Sequence, residues 1–328
     1  MIGFHKTSIN SDSIFLSAFT ILCSPFMNAT STAQKHPHGR PSDAATLLQT
    51  VLAENVRTKP ERLKVVIDSL VKHLHAFAIE TQLNYEELSL GLDFLNAVGK
   101  ATGPEKDEAI LLSDVLGLST LVQLQDAQRI IEQGGTEPGL IGPFWRANHP
   151  VLESGGTVCT PDTAGPKLEV AVKVIDLSGK PIAGTTVDVW QASPSGFYEN
   201  QDPDQADMNL RGRFMTDANG EFTFWTVKPA GYPIPIDGPV GVLLKHQDRT
   251  PMRPAHIHFI AIREGYRVLS TQIFDETDPH IDTDVVFGAV GSLVRALHTH
   301  PKNPDALYLE VSITLEPGET RIPKPPLD

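Results

Sequence analysis

Apolar and polar residues follow two different periods along the chain, and the change falls near residue 135. From residue 42 to residue 133, apolar side chains recur three or four positions apart, as on one face of an amphipathic helix. This period predicts four helices with the approximate bounds 42–57, 60–77, 85–98 and 105–133. Ser42 and Asp43 can cap the first helix, and Gly134 follows the last one.

After Gly135, apolar residues alternate with polar ones, β-branched residues are frequent, and Pro and Gly separate the runs. This alternation predicts six strands, at residues 168–175, 186–190, 221–227, 256–262, 268–274 and 307–315. Several short strands joined by turns are typical of a β-sandwich. The sequence therefore predicts an α+β protein, with an all-helical domain at residues 42–135 and a β-sandwich domain at residues 136–328.

Residues 1–41 fit neither pattern and are rich in Ser, Thr and Asn, which predicts a disordered tail or a targeting segment. Residues 14–23 have the length of a signal-peptide core, but only Lys6 precedes them as a fixed cation, and Asp12 lies between. We therefore expect a cytoplasmic protein. Secretion is the alternative if the apolar segment is a signal peptide.

Composition narrows the candidate chemistry. The 328 residues are 40% hydrophobic and 20% charged, which is ordinary for a globular protein with a sizeable core. The net charge of −13 is the opposite of what a non-specific nucleic-acid binder carries, so no nucleic-acid partner is expected. Two cysteines form neither a disulfide framework nor a four-cysteine zinc site, whereas twelve histidines direct the search towards nitrogen and oxygen ligands.

Four His-x-His pairs are candidates for binding a metal ion: His36/His38, His73/His75, His256/His258 and His298/His300. A strand places residues i and i+2 on one face, whereas a helix turns them about 200° apart. His36/His38 are predicted to lie in the tail, His73/His75 in a helix and His298/His300 in a surface turn. His256/His258 lie on a predicted apolar strand and are the favoured metal ligands, with two buried structural histidines as the alternative.

Tyr198 and Tyr232 are candidate oxygen ligands. Tyr198 follows a predicted strand, and Tyr232 lies in the proline-rich loop at residues 229–235. Local sequence alone favours two half-buried aromatic residues with hydroxyl groups in water. A phenolate is a hard anionic ligand, and together with two imidazoles it suits Fe(III) better than Zn(II) or Mg(II).

Several motifs together resemble the intradiol ring-cleavage dioxygenases of the catechol and hydroxyquinol 1,2-dioxygenase type. The resemblance covers roughly residues 105–316. Its matching runs lie at residues 112–119, 142–144, 188–192, 196–198, 232–241 and 253–259. The last two runs, which contain Tyr-Pro-Ile-Pro and Arg-Pro-Ala-His-Ile-His-Phe, are highly specific.

The resemblance implies one non-haem Fe(III) per subunit. Its implied ligands are Tyr198, Tyr232, His256 and His258. Tyr232 would be the ligand that leaves when the substrate chelates, and its phenolate would act as a base. Arg253 would stabilise charge that develops on the substrate ring. Gln272 would orient a ligand or the substrate.

The implied reaction cleaves the ring of hydroxyquinol or catechol with O2 between the two hydroxylated carbons. It gives a muconate-type product, which is maleylacetate from hydroxyquinol. Residues near the positions of the implied substrate pocket are Leu111, Asp114, Leu140, Ile141, Pro143 and Phe144. Asp114 could accept a hydrogen bond from the third hydroxyl of hydroxyquinol, or could be a solvated or capping carboxylate. The runs at residues 112–119 and 284–290 resemble hydroxyquinol and chlorocatechol enzymes more than catechol enzymes, so chlorocatechols remain an alternative.

The helical domain resembles the family's linker, which implies a homodimer through the N-terminal helices with a lipid bound at the interface. Two other functions are compatible with parts of the sequence. A transthyretin-like binding module without the chemistry would lack at least one of the four ligands. An Fe(II) oxygenase with two histidines and one carboxylate needs a His-x-Asp/Glu motif, but residues 256–258 read His-Ile-His.

Overall fold

The computed structural model describes residues 40–103 and 106–326. The tail predicted at residues 1–41 lies outside these ranges except for its last two residues. The chain divides into two compact units, one that ends at Gly91 and one that begins at Leu92. Within the described ranges, no helix is both long and apolar enough to cross a membrane.

From residue 40 onwards, the first unit is built from helices. It contains α1 (Ala44–Glu54), α2 (Glu61–Glu80) and the start of α3 (Tyr85–Ala101). Asp43 caps α1 as predicted, because its side chain accepts a hydrogen bond from the Thr46 backbone N–H at 2.8 Å. His73 and His75 lie on α2, so the prediction that this pair is helical is confirmed.

The single helix predicted at residues 105–133 is wrong, because two helices occupy this region. They are α4 (Glu108–Val115) and α5 (Leu118–Glu132). Gly117 separates them with a left-handed backbone, at φ +72°. A Cβ atom at this position would lie 3.3 Å from the Phe287 ring, so glycine serves both the turn and this close contact.

The rest of the second unit is built on strands. They are β1 (Lys167–Asp176), β2 (Thr186–Gln191), β3 (Arg211–Met215), β4 (Glu221–Val227), β5 (Tyr232–Pro233), β6 (Met252–Arg253), β7 (His256–Ile262), β8 (Leu269–Asp275), β9 (Val294–Arg295), β10 (His298–His300) and β11 (Asn303–Leu315). Helix α6 (Pro239–His246) lies between β5 and β6 in the chain. All six predicted strands are present.

Two sheets form a sandwich, in the orders β10-β11-β1-β4 and β3-β2-β7-β8-β9, and β5 pairs with β6. Alternate side chains of both sheets form one core, which includes Leu168, Val170, Val187, Phe214, Phe224, Phe259 and Ile313. The predicted α+β architecture is confirmed.

The surface turn predicted for His298 and His300 is wrong. These residues form β10, which pairs antiparallel with β11. His300 is buried, and its Nε2 lies 2.6 Å from Glu169 Oε2. The strand has only three residues, which is too short for period-two alternation to be visible in the sequence.

Strand register places the candidate site. Across β2, β7 and β8, His258 pairs with Trp190 on one side and with Gln272 on the other. In the short β5–β6 ladder, Tyr232 pairs with Arg253. Trp190 and Gln272, which are 82 positions apart in the sequence, therefore lie on the two strands that flank His258.

Candidate active site

Four buried side chains bring their polar atoms together. His256 Nε2 and His258 Nε2 are 3.1 Å apart, since both imidazoles project from the same face of β7. The Tyr198 hydroxyl lies 3.1 Å from His258 Nε2 and 3.4 Å from the Tyr232 hydroxyl. All four side chains are at most 3% exposed. We call these four residues the donor cluster.

Both histidines are in the form that a metal ion requires. Burial lowers the pKa of His256 to about 3 and the pKa of His258 well below its usual value. Both imidazoles are therefore neutral at neutral pH. His256 Nδ1 lies 2.7 Å from the Pro254 carbonyl and donates to it, which leaves a lone pair on Nε2.

Tyr198 needs a nearby cation in order to ionise. Burial raises the pKa of Tyr198 well above its usual value, and the neighbouring Tyr232 raises it further. A phenolate here therefore requires a strong local positive charge.

The donor cluster fits a metal cation. Donor separations of 3.1–3.4 Å suit ligands that are each about 2 Å from a common centre. Within residues 40–103 and 106–326, no group of three or more His, Cys, Asp or Glu side chains is arranged to hold a metal ion. This absence weighs against the two-histidine-one-carboxylate alternative, whereas the tyrosine hydroxyls lie next to the two histidines.

Arg253 and Gln272 border the donor cluster. Arg253 is buried, and its Nη1 lies 3.4 Å from His256 Nε2. Gln272 is fully buried; its Oε1 accepts from Arg253 Nη2 at 3.2 Å, and its Nε2 lies 3.2 Å from His258 Nδ1 and donates to the Leu140 carbonyl at 2.7 Å. Gln272 thus joins the arginine, one histidine and the segment that follows α5.

Two residues beside His258 have roles that sequence reasoning missed. The sequence places Trp190 on a predicted strand, and in the structure its ring stacks on the His258 imidazole, with centroids 4.5 Å apart and an angle of 7° between the ring planes. Gly142 has φ +69°, and a Cβ atom there would lie 3.5 Å from His258 Cε1. The Gly-Pro-Phe motif was visible in the sequence, but the close approach to a histidine 116 positions later, 258 − 142, was not.

Gly142, which approaches His258, is one of the residues that line a cavity of about 870 Å³. Its size is in the range of small-molecule sites. Four of the six predicted substrate-pocket residues line it: Asp114, Leu140, Ile141 and Pro143. The C-terminal residues 324–326 line it as well, which no sequence signal indicated. We call the four predicted residues the cavity wall.

The two other predicted pocket residues do not line this cavity. Phe144 is buried and stacks on the Tyr198 ring with centroids 4.4 Å apart. Leu111 packs against the apolar cluster that contains Val115 and Leu140.

Fold and donor set together define a class: an α+β protein whose β-sandwich carries a buried two-histidine, two-tyrosine cluster. Two family profiles match the chain. One is described as the catechol dioxygenase N terminus and matches residues 60–133, and the other, described as dioxygenase, matches residues 140–317. The chain belongs to the intradiol ring-cleavage dioxygenase family, which confirms the resemblance that the motifs carry.

Individual relatives agree with this assignment. The intradiol ring-cleavage dioxygenase prcA of Aspergillus niger is 39% identical over 262 residues, which are 78% of this chain and 83% of the relative. The hydroxyquinol 1,2-dioxygenase of a Rhizobium species is 40% identical over 75% of this chain and 83% of its own. The solved structure of hydroxyquinol 1,2-dioxygenase from Pseudomonas putida DLL-E4 has a TM-score of 0.76 at 36% identity, covering 84% of this chain and 99% of that one.

Proposed function

We propose that this protein cleaves the aromatic ring of a catechol-type diol with O2, between the two hydroxylated carbons. Hydroxyquinol or catechol is the substrate, and the product is a muconate-type acid, maleylacetate from hydroxyquinol. The observation that carries this proposal is the buried donor cluster with a cavity of substrate size beside it. Hydroxyquinol and catechol 1,2-dioxygenases among the relatives support it.

The four donor residues would hold one Fe(III) per subunit. Two neutral imidazoles and two phenolates supply hard ligands with a charge of −2, which suits a ferric ion. When bound, this ion supplies Lewis-acid charge that holds both diol oxygens as anions. The donor set has lost no member, which counts against the transthyretin-like binding module.

Other residues of the chain would hold the ligands, accept a proton and stabilise charge. Phe144 stacks on Tyr198, and the guanidinium of the fully buried Arg211 lies 6.0 Å from the Tyr198 ring centroid, so this tyrosine is held on more than one side. Tyr232 lies on a two-residue strand and is the ligand proposed to leave and to accept a diol proton. Arg253 directs Nη1 to the donor cluster, where its fixed charge would stabilise negative charge on the ring.

Asp114 favours hydroxyquinol as the substrate. Its side chain is 7% exposed and lines the cavity, so it is not a solvated carboxylate, and the cap of α4 is Asp107. Burial raises its pKa, and a hydrogen bond with Ser119 opposes that effect. A buried carboxylate on the cavity wall can accept a hydrogen bond from a third hydroxyl group. Chlorocatechol, which has no such hydroxyl, is the second candidate.

The test is oxygen consumption by the iron-loaded protein with hydroxyquinol, catechol and a chlorocatechol, together with chemical identification of the products. We expect one O2 per diol and the highest kcat/KM with hydroxyquinol. Higher turnover of the chlorocatechol would select the second candidate. No oxygen uptake with any diol, at full iron occupancy, would overturn the proposal.

We also propose that residues 42–135 form a linker through which two copies associate, and that residues 136–328 form the catalytic domain. On α2, Val66, Leu70, Leu74 and Phe77 form one stripe and are each 44–54% exposed. A second copy would cover this apolar stripe, and a lipid is proposed at the same interface. Replacing Leu70 and Leu74 by Glu should convert a dimer into a monomer in analytical ultracentrifugation, and mass spectrometry of an organic extract would detect a lipid.

A further inference from the structure

Arg253 is held from behind by a carboxylate on a distant loop. Asp284 accepts two hydrogen bonds from its guanidinium, Nε to Oδ1 at 3.1 Å and Nη2 to Oδ2 at 3.2 Å. Arg253 Nη2 also donates to Gln272. The two bonds to Asp284 occupy the Nε–Nη2 edge of the guanidinium, so that Nη1 is left to face His256.

The carboxylate of Asp284 is itself held by its own loop. Oδ2 accepts hydrogen bonds from the backbone N–H groups of Gly288 and Ala289 at 2.9 and 3.1 Å, and Oδ1 lies 3.3 Å from the Val286 nitrogen. Burial opposes ionisation, but the charge and hydrogen bonds of Arg253, together with smaller contributions such as the Val286 N–H, keep the pKa of Asp284 below its usual value. Asp284 is therefore a fixed anion.

The loop at residues 284–289 is attached to α4, which carries Asp114 of the cavity wall, and to α5. Arg249 donates to the Val115 carbonyl at 2.8 Å and to the Val285 carbonyl at 2.7 Å, so it bridges the end of α4 and the loop. The Thr120 hydroxyl on α5 donates to the Val286 carbonyl at 2.9 Å. The position of Asp284 thus depends on the same helices that place Asp114.

We propose that Asp284 is a positioning residue that aims Arg253 Nη1 at the substrate ring, and that Gly288 leaves the space this arrangement needs. The inference rests on the function proposed above. A Cβ atom at Gly288 would lie 2.9 Å from Arg253 Nη2 and 3.3 Å from Asp284 Oδ2. Gly288 does not have a positive φ, so an alanine there changes this contact without straining the backbone.

The first test is a double-mutant cycle of Asp284→Asn and Arg253→Gln. Asp284→Asn should lower kcat per bound iron about 10- to 100-fold, as expected for the loss of a charge-assisted pair. KM should change less than about threefold, because the contact acts in the transition state. The visible absorption of the iron-loaded protein should stay as in the wild type. In the Arg253→Gln background, Asp284→Asn should cost little further activity.

A structural role predicts a different pattern. Asp284→Asn would then lower Tm and iron occupancy but leave kcat per iron unchanged, or would cost as much with Arg253→Gln as without it. Either result overturns the proposal. The Tm of the metal-free protein is measured for the same set of variants. Arg253→Gln should lower Tm less in the Asp284→Asn background than in the wild type, because no unpaired carboxylate then remains. Additive Tm values would show that the two side chains are not coupled and would also overturn the proposal.

The second test compares Gly288→Ala with Gly291→Ala. A Cβ atom at Gly291 meets nothing within 4 Å, so this variant is a matched control in the same region of the chain. Gly288→Ala should lower kcat while Gly291→Ala keeps the wild-type value. Equal kcat values for both variants would contradict the need for space at residue 288. Turnover by the wild type and by Gly291→Ala tests the proposed function separately. If both are inactive, the proposed ring cleavage is contradicted, but the Tm values still test the coupling between Asp284 and Arg253.

Discussion

The donor cluster and the cavity wall are neighbours but are built in different ways. The cluster lies on or beside short ladders of the sheet, it is at most 3% exposed, and its polar atoms contact one another. The cavity wall comes from α4 and from the segment after α5, and it lines an open cavity. Three of the four cluster residues lie on strands, His256 and His258 on β7 and Tyr232 on β5, so strand register fixes most of the donor cluster. Substrate choice is left to side chains that can vary without disturbing the sheet.

The largest effect is expected inside the donor cluster. His256→Ala should abolish stoichiometric iron binding and lower kcat by at least about 10³-fold, since the Lewis acid supplies several kcal/mol. Iron content after reconstitution and oxygen uptake measure this. A variant with His73 and His75 both replaced by Ala is the matched control, because this His-x-His pair lies on α2. Loss of iron from the control instead would contradict the assignment.

The next effect lies in the cavity wall. Asp114→Asn should reduce kcat/KM for hydroxyquinol about 10- to 100-fold relative to catechol, because a hydrogen bond to a charged acceptor contributes about 1.5–3 kcal/mol. Catechol, which lacks the third hydroxyl, is the internal control. An equal loss for both diols would mean that Asp114 acts on the fold rather than on substrate choice.

A pH effect is expected behind the donor cluster, at His149. This buried residue makes an edge-on contact with Trp190, which stacks on His258, and burial lowers the pKa of His149 to about 4. Between pH 6.5 and 4 the unfolded chain binds a proton at His149 that the folded chain does not. Stability should therefore fall as pH falls through this window, by up to about 1.4 kcal/mol per pH unit.

Chemical denaturation at several pH values measures this contribution. The variant His149→Phe should show a shallower loss of stability than the wild type between pH 6.5 and 4. His73→Phe, on the exposed surface of α2, should keep the wild-type slope. If the wild type and both variants lose stability with the same dependence on pH, protonation of His149 does not contribute to the acid sensitivity.

The smallest effect is expected at Gly142, which lies between the donor cluster and the cavity wall. Gly142 and Gly155 both have positive φ, at +69° and +84°, but a Cβ atom at Gly155 meets nothing within 4 Å. Alanine at either position should destabilise the fold by about 1–2 kcal/mol through backbone strain. Only Gly142→Ala should also raise KM a few-fold, because its methyl group approaches His258. Equal KM values would place Gly142 outside the substrate path.

Sequence reasoning reached the donor cluster because His256 and His258 are two positions apart on a strand, and because two specific motifs carried the family resemblance. Sequence reasoning did not predict the ion pair between Arg253 and Asp284, which lie 31 positions apart, since only the folded loop brings the two side chains together. The break between α4 and α5 was missed for a related reason. The backbone of Gly117 and its contact with Phe287 are tertiary features, whereas the apolar period continues across them.

The most direct test of the central claim is the visible absorption spectrum of the iron-loaded protein, before and after anaerobic addition of hydroxyquinol or catechol. Ligation by Tyr198 and Tyr232 predicts a wine-red phenolate-to-Fe(III) charge-transfer band that shifts when the diol binds and that changes in Tyr198→Phe and Tyr232→Phe. A colourless protein with one iron per subunit would contradict tyrosinate ligation and return the Fe(II) alternative to consideration.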